Sequence, residues 1–160
     1  MVEKNKTNRT YVYKTYLPDI IYSMDRSLKE KGYHSSGTTI YRCIYHVIFC
    51  PKYRRRVLAP PIQNRMKEIV VAVANENNSS VHEMEVMEDH VHLLLDVDPA
   101  VGIDVIISRM KGRSSNILRR EFPELKKKLP TLWTRSKFIA TVGAVSLDAV
   151  KQYIEEQKGK

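Results

Sequence analysis

Between residues 39 and 142 the apolar residues change their period several times, and the order of those changes leaves few folds open. Residues 39–50 alternate, with Tyr41, Cys43, Tyr45, Val47 and Phe49 on one side and Arg42 and His46 on the other, which predicts a half-buried strand. Residues 60–75 switch to helical spacing, and Ile62, Met66, Ile69, Val70 and Val73 form the buried stripe. Strands are expected at 80–87 and 90–97, joined by a tight Glu88-Asp89 connection. A longer helix follows over 101–120, with Val105, Ile106, Met110, Ile117 and Leu118 as its apolar residues. Residues 138–142 form a short apolar strand, Gly143 breaks it, and Ser146 caps a last helix with Asp148 in its first turn. The order is β-α-β-β-α-β plus one helix, which is the α+β, ferredoxin-like (RRM-like) split βαβ arrangement. Such a fold has an antiparallel sheet with helices on one face, an open face opposite, and the third strand in the middle.

That third strand carries His90-Val91-His92 within Glu88-Asp89-His90-Val91-His92-Leu93-Leu94-Leu95-Asp96. Side chains alternate along a strand, so His90 and His92 share one side while Val91, Leu93, Leu95 and Val97 take the other. The result is an imidazole face on a strand with an apolar back. Two such histidines could also be no more than the polar side of a half-buried strand, and a metal needs a third protein ligand. On the last helix Tyr153 and Gln157 lie one turn apart on one face. Presented toward the imidazoles they would supply a nucleophile and an amide oxygen as that third ligand. Together with Val150 and Ile154 they equally describe a helix face packed on a sheet.

A chain of 160 residues suffices for one compact domain and is too short for two large ones. Its formal net charge of +9, with 28% charged residues, points to a polyanionic partner without choosing among DNA, RNA and anionic lipid. Cys43 and Cys50 form no CxxC pair, so neither a zinc ribbon nor a disulfide scaffold is indicated. The first residues lack the apolar run of a signal peptide, and no stretch approaches the about 18 to 20 apolar residues of a membrane span. A cytoplasmic protein that meets no membrane is expected. Residues 1–37 read as a basic N-terminal arm: Leu17, Ile20, Ile21, Met24 and Leu28 are spaced for a short amphipathic helix, Gly32 for its stop, and Ser35-Ser36-Gly37 for a linker. The arm's tyrosines (Tyr11, Tyr13, Tyr16, Tyr22 and Tyr33) could pack on the domain at 38–160 or stack on bases.

Several short motifs share one register: Tyr45-His46, Lys52-Tyr53-Arg54-Arg55-Arg56, Met87 to Leu94, Met110-Lys111-Gly112, Leu132-Trp133, Thr141-Val142-Gly143 and Tyr153 to Gln157. From about Tyr41 to Gln157 the chain resembles the small single-tyrosine HUH transposases of the IS200/IS605 type. The resemblance implies His90 and His92 as metal ligands, Gln157 as the third ligand and Tyr153 as the catalytic nucleophile. It further implies Mg²⁺ or Mn²⁺, hairpin ends of single-stranded DNA as substrate, and a homodimer in which the Tyr153 helix acts in trans. The departures are an arm longer than the family core needs, Glu88 where many relatives have proline, and Lys137 where an aromatic is expected.

The implied chemistry is physically coherent. A phenol of pKa near 10 is only about one part in a thousand ionised at neutral pH, so attack on a phosphodiester needs electrostatic help. Lys52, Arg54, Arg55 and Arg56, and on the second long helix Arg109, Lys111, Arg113, Arg119 and Arg120, are the expected DNA contacts, while Lys126 to Lys128 read as a solvated run. His46, on the same side of a neighbouring strand, is a rival third ligand. Two other readings stand beside the transposase: a non-catalytic RRM-like nucleic-acid-binding module, which lacks an RNP-type aromatic first strand here, and a water-using metal-dependent phosphodiesterase, which has no need of Tyr153.

Overall fold

The computed structural model describes residues 31–36 and 39–143. The chain divides into two compact units, Met1–Ile40 and Tyr41–Lys160. The amphipathic helix expected near Leu17, the helix with Tyr153 and Gln157, and every arm tyrosine except Tyr33 lie outside the described residues.

The described elements run β1 (His34–Ser36), β2 (Thr39–Tyr41), β3 (Ile44–Phe49), a 3₁₀ turn (Lys52–Arg54), α1 (Pro60–Asn75), β4 (Ser80–Val86), β5 (Val91–Asp96), α2 (Ile103–Glu121), α3 (Glu124–Lys128) and β6 (Phe138–Thr141). Strands β3 to β6 form one sheet in the order β4-β5-β3-β6. All three of its pairings are antiparallel. This is the split βαβ order, and β5 is interior as the periodicity requires.

The apolar face of the sheet, from Val47, Phe49, Val86, Val91, Leu93 and Leu95, packs with Ile62, Met66, Ile69, Val70 and Val73 of α1 and Ile106, Ile107, Met110 and Leu118 of α2. Two prolines open α1, where their missing N–H groups cost nothing. Its end is closed by Asn77, whose Nδ2 donates to the Val73 carbonyl at 2.6 Å.

Four expectations need correction. Residues 39–50 are not one strand: at Cys43 the backbone N–H donates to the Asp96 side chain at 3.1 Å in place of a ladder carbonyl, and β2 ends before β3 begins. The segment read as a Ser35-Ser36-Gly37 linker includes His34–Ser36, which pairs with β2 in a small two-stranded sheet. The long helix starts later than position 101, because the Asp98 carbonyl accepts from Val101 and Gly102 in a turn and Gly102 takes a left-handed φ of 83°. Within that helix Val105 is 42% exposed, and Ile107 and Ser114 hold the buried stripe instead.

Every residue of β5 is buried, on its second face as well as its first. His92 is only 4% exposed, and Leu94 is buried with Ile44 and with Val142 packed against them. Among the described residues no helix is long and apolar enough to cross a membrane.

Candidate active site

Register assembles the histidines. Ile48 of β3 pairs with His92 of β5, and His46 pairs with Leu94, so His46 and His92 are diagonal neighbours on one face. Their rings lie nearly parallel, 5.6 Å apart at 14°, and His46 Nε2 is 3.3 Å from His92 Nδ1. His90, directly before β5, meets His92 edge-on with centroids 4.8 Å apart. The edge of Phe138 from β6 contacts the other side of His46 at 5.9 Å.

Beyond His90 the hairpin turn contributes an acid. Met87 donates its N–H to the His90 carbonyl at 2.9 Å, which closes the Glu88-Asp89 turn as expected. Asp89 Oδ1 sits 2.5 Å from His90 Nδ1, and Asp89 Oδ2 accepts from Arg54 Nε at 3.0 Å. A carboxylate on one imidazole nitrogen fixes the ring and leaves Nε2 of His90 to act as ligand, a common arrangement behind metal-binding histidines. Sequence reasoning had placed Asp89 only in the turn. An acid immediately before a strand histidine was the available signal.

Electrostatics hold these groups in defined states. Burial pushes the His92 pKa down to about 4, and the neighbouring His90 and His46 add to the effect. Burial also lowers His46. For Asp89, burial acts upward, yet the hydrogen bond and charge of His90 and those of Arg54 outweigh it and hold the carboxyl below its ordinary range. At neutral pH His92 is therefore an uncharged imidazole, the form in which histidine binds a metal. Among the described residues no three His, Cys, Asp or Glu side chains are grouped to hold a metal ion. The donor set in view is two imidazoles without a thiolate, which suits a divalent ion accepting mixed nitrogen and oxygen ligands.

The basic residues divide into two kinds. Around the 3₁₀ turn Arg54 pairs with Asp89, and Arg56 pairs with Glu88 at 2.7 Å. The Glu88 carbonyl also accepts from Val57 and Leu58, each at 3.0 Å, so this segment is fastened to the histidine hairpin. Tyr53 and Arg54 adopt left-handed φ values of 61° and 51°, and Tyr53 is 69% exposed with the Lys52 ammonium 5.3 Å from its ring. On α2, Arg113 pairs with Glu76, Arg109 donates to Asn77, and Arg119 donates to the Leu129 carbonyl at 3.0 Å.

Lys111 is partly buried rather than projecting to solvent. Its Nζ donates to the carbonyls of Thr134, Arg135 and Ser136, 2.7, 3.3 and 3.4 Å away, and burial lowers its pKa, with Lys137 adding to the fall. Trp133 stacks edge-on against Phe49 and donates Nε1 to the buried Ser114 Oγ at 3.0 Å. Lys137, where an aromatic was expected, pairs with Asp104 in the first turn of α2 at 2.6 Å. The motifs at 52–56, 110–112 and 132–133 are thus tied together with the residues beside them: Lys52 donates its N–H to the Leu132 carbonyl, and Thr134, which accepts from Lys111, donates its N–H to the Cys50 carbonyl. Tyr153 and Gln157 lie outside the described residues.

Comparison with known proteins bears on the same region. Residues 39–157 match the family model described as transposase, IS200 like. The chain is 37% identical over 134 residues to the ISDra2 transposase TnpA of Deinococcus radiodurans, covering 82% of this chain and 91% of the relative. It is 32% identical over 129 residues to the transposase for insertion sequence element IS200 of Salmonella typhimurium, covering 78% and 85%. A crystal structure of a candidate transposase from Deinococcus radiodurans R1 superposes with a TM-score of 0.62 at 34% identity, over 78% of this chain and 96% of that one. A REP-associated tyrosine transposase bound to a REP hairpin shares the fold, with a TM-score of 0.52 at 10% identity over 75% and 68%. With its sheet order and histidine hairpin inside the matched span, this chain belongs to the IS200-like transposase family.

Proposed function

We propose that this protein cleaves and rejoins single-stranded DNA at the ends of an insertion sequence, with Tyr153 as nucleophile. The observation that carries the reading is the hairpin that sets two histidines side by side, His92 buried and neutral and His90 braced by Asp89, in a chain of transposase family. His90, His92 and Gln157 would hold Mg²⁺ or Mn²⁺, which when bound offsets charge developing on the scissile phosphate.

Tyr153 Oη forms a bond to phosphorus as the bond from phosphorus to the 3′ oxygen breaks. The phenol gives up its proton, the departing 3′ oxygen gains one, and the product is a 5′-phosphotyrosine with a 3′-hydroxyl. Attack by another 3′-hydroxyl reverses the step, so joining needs no nucleotide cofactor. The buried environment of His92 and the bond between Asp89 and His90 keep the imidazole pair in place through both steps. A hairpin as substrate is supported by the hairpin-bound structural neighbour. A homodimer with the Tyr153 helix acting in trans belongs to the same reading.

The deciding experiment incubates the protein with end-labelled single-stranded DNA from its element ends and Mn²⁺. A denaturant-resistant protein–DNA adduct is expected, and it should disappear in Tyr153→Phe. Cleavage surviving that substitution would mean a water-using phosphodiesterase, and binding with no cleavage would mean a nucleic-acid-binding module.

A further inference from the structure

The geometry points to His46 as a positioning residue that, by accepting a hydrogen bond from His92 Nδ1–H, fixes His92 in the tautomer whose Nε2 can ligate a metal. The inference rests on the proposed metal site at His90 and His92. It concerns a residue that touches neither DNA nor metal in that reading.

The two histidines of the pair face different problems. His90 lies in the turn, where Asp89 Oδ1, 2.5 Å away, accepts a hydrogen bond from its Nδ1–H. His92 is buried within the sheet, and among the described residues His46 Nε2 lies 3.3 Å from its Nδ1. One of those two nitrogens carries the shared proton. If His46 donated, His92 would keep its own proton on Nε2 and that atom could not bind a cation. If His46 accepts, His92 Nε2 presents a lone pair, as His90 Nε2 does, so the arrangement compatible with a metal makes His46 the counterpart of Asp89.

The surroundings suit such a role. Strand register places His46 diagonally across from His92, the two planes differ by 14°, and the Phe138 edge backs the His46 ring. A neutral imidazole also suits this buried neighbour better than a carboxylate, because it orients His92 without adding a buried charge. No sequence period identifies His46 as more than a polar residue on the right side of its strand. Only the register and the ring geometry distinguish a partner of His92 from a third ligand.

The test uses the full-length protein with His46→Leu, which cannot accept, and His46→Gln, whose amide oxygen can reach the place of Nε2. In metal-free native protein, long-range ¹H–¹⁵N correlation spectra should show the His92 proton on Nδ1, and in His46→Leu a shift toward Nε2. Mn²⁺ affinity by calorimetry should fall about ten- to hundredfold in His46→Leu and return to within about threefold of native in His46→Gln. A native His92 proton on Nε2, an unchanged affinity in His46→Leu, or a Gln variant as weak as Leu at equal thermal stability would each overturn the assignment. So would pulsed EPR showing three imidazoles on Mn²⁺, since His46 would then be a ligand. If His90→Ala and His92→Ala leave Mn²⁺ binding unchanged, the metal reading fails instead, and the metal-free tautomer spectrum still decides the role of His46.

Discussion

His92 combines a buried position with a titratable ring, which makes the metal-free protein acid-sensitive in a defined window. Its folded-state pKa of about 4 lies below the unfolded value near 6.5, so between those values the unfolded chain binds more protons. Stability should therefore hold above about pH 6.5 and fall as pH drops from there toward 4, with His46, also lowered, acting in the same direction. Asp89, held low by His90 and Arg54, adds its own loss only at still lower pH. Urea midpoints measured in EDTA at pH 7.5, 5.5 and 4.5 should decline in the native protein and decline less in His92→Gln. A native midpoint constant down to pH 4.5 contradicts this account. Strand alternation was enough to put His46 and His92 on the polar side of their own strands, but the register that brings them together, and the turn that holds His90 ahead of β5, were not in the period. It could not show that Asp89 turns toward His90, since a turn side chain answers to local dihedrals rather than to a period.

At the level of elements, α1 was legible in full because five apolar residues at helical spacing follow two prolines, and the structure buries those five. The second long helix was harder to read. Its stripe runs through Ile106, Ile107, Met110, Ser114 and Leu118, and a reading that follows only apolar residues skips Ser114 and admits Val105. Ser114 belongs inside because it accepts from Trp133 Nε1 while donating to the Met110 carbonyl at 2.6 Å. Ser114→Ala leaves the indole N–H without its partner and should cost about 1–3 kcal/mol in urea denaturation. In a double-mutant cycle with Trp133→Phe the two losses should be less than additive. Full additivity would mean that this hydrogen bond contributes nothing. In β5, buried on both faces, Leu93→Ala should cost about 2–5 kcal/mol by the same assay, because surrounding strands and helices restrict collapse into the space left behind.

Across the whole molecule a formal charge of +9 predicts attraction to a polyanion, but the structure shows that the basic residues are not equivalent. Lys111 and Arg119 donate to backbone carbonyls that secure the segment before β6 and the residue after α3, so their first effect is on folding. Arg54, Arg56 and Arg113 sit in largely exposed ion pairs with Asp89, Glu88 and Glu76. Exposed pairs of this kind contribute about 0–1 kcal/mol, so a phosphate can replace the carboxylate at little cost. Arg55, exposed beside them, is suited to a phosphate contact without first serving the fold. Sequence clustering could not draw this division, since a guanidinium that holds a carbonyl and one that faces solvent look alike in a list of charges. Binding to single-stranded DNA should weaken linearly on a log–log plot against salt, with a slope of about −0.7 for each phosphate contacted. Arg55→Ala should make that slope shallower by about 0.7 and leave the urea midpoint in place. Arg119→Ala should lower the midpoint and change the slope less. If both variants moved only the slope, Arg119 would be a DNA contact and its bond to the Leu129 carbonyl incidental; if neither moved it, the basic surface that meets DNA would lie outside these two clusters.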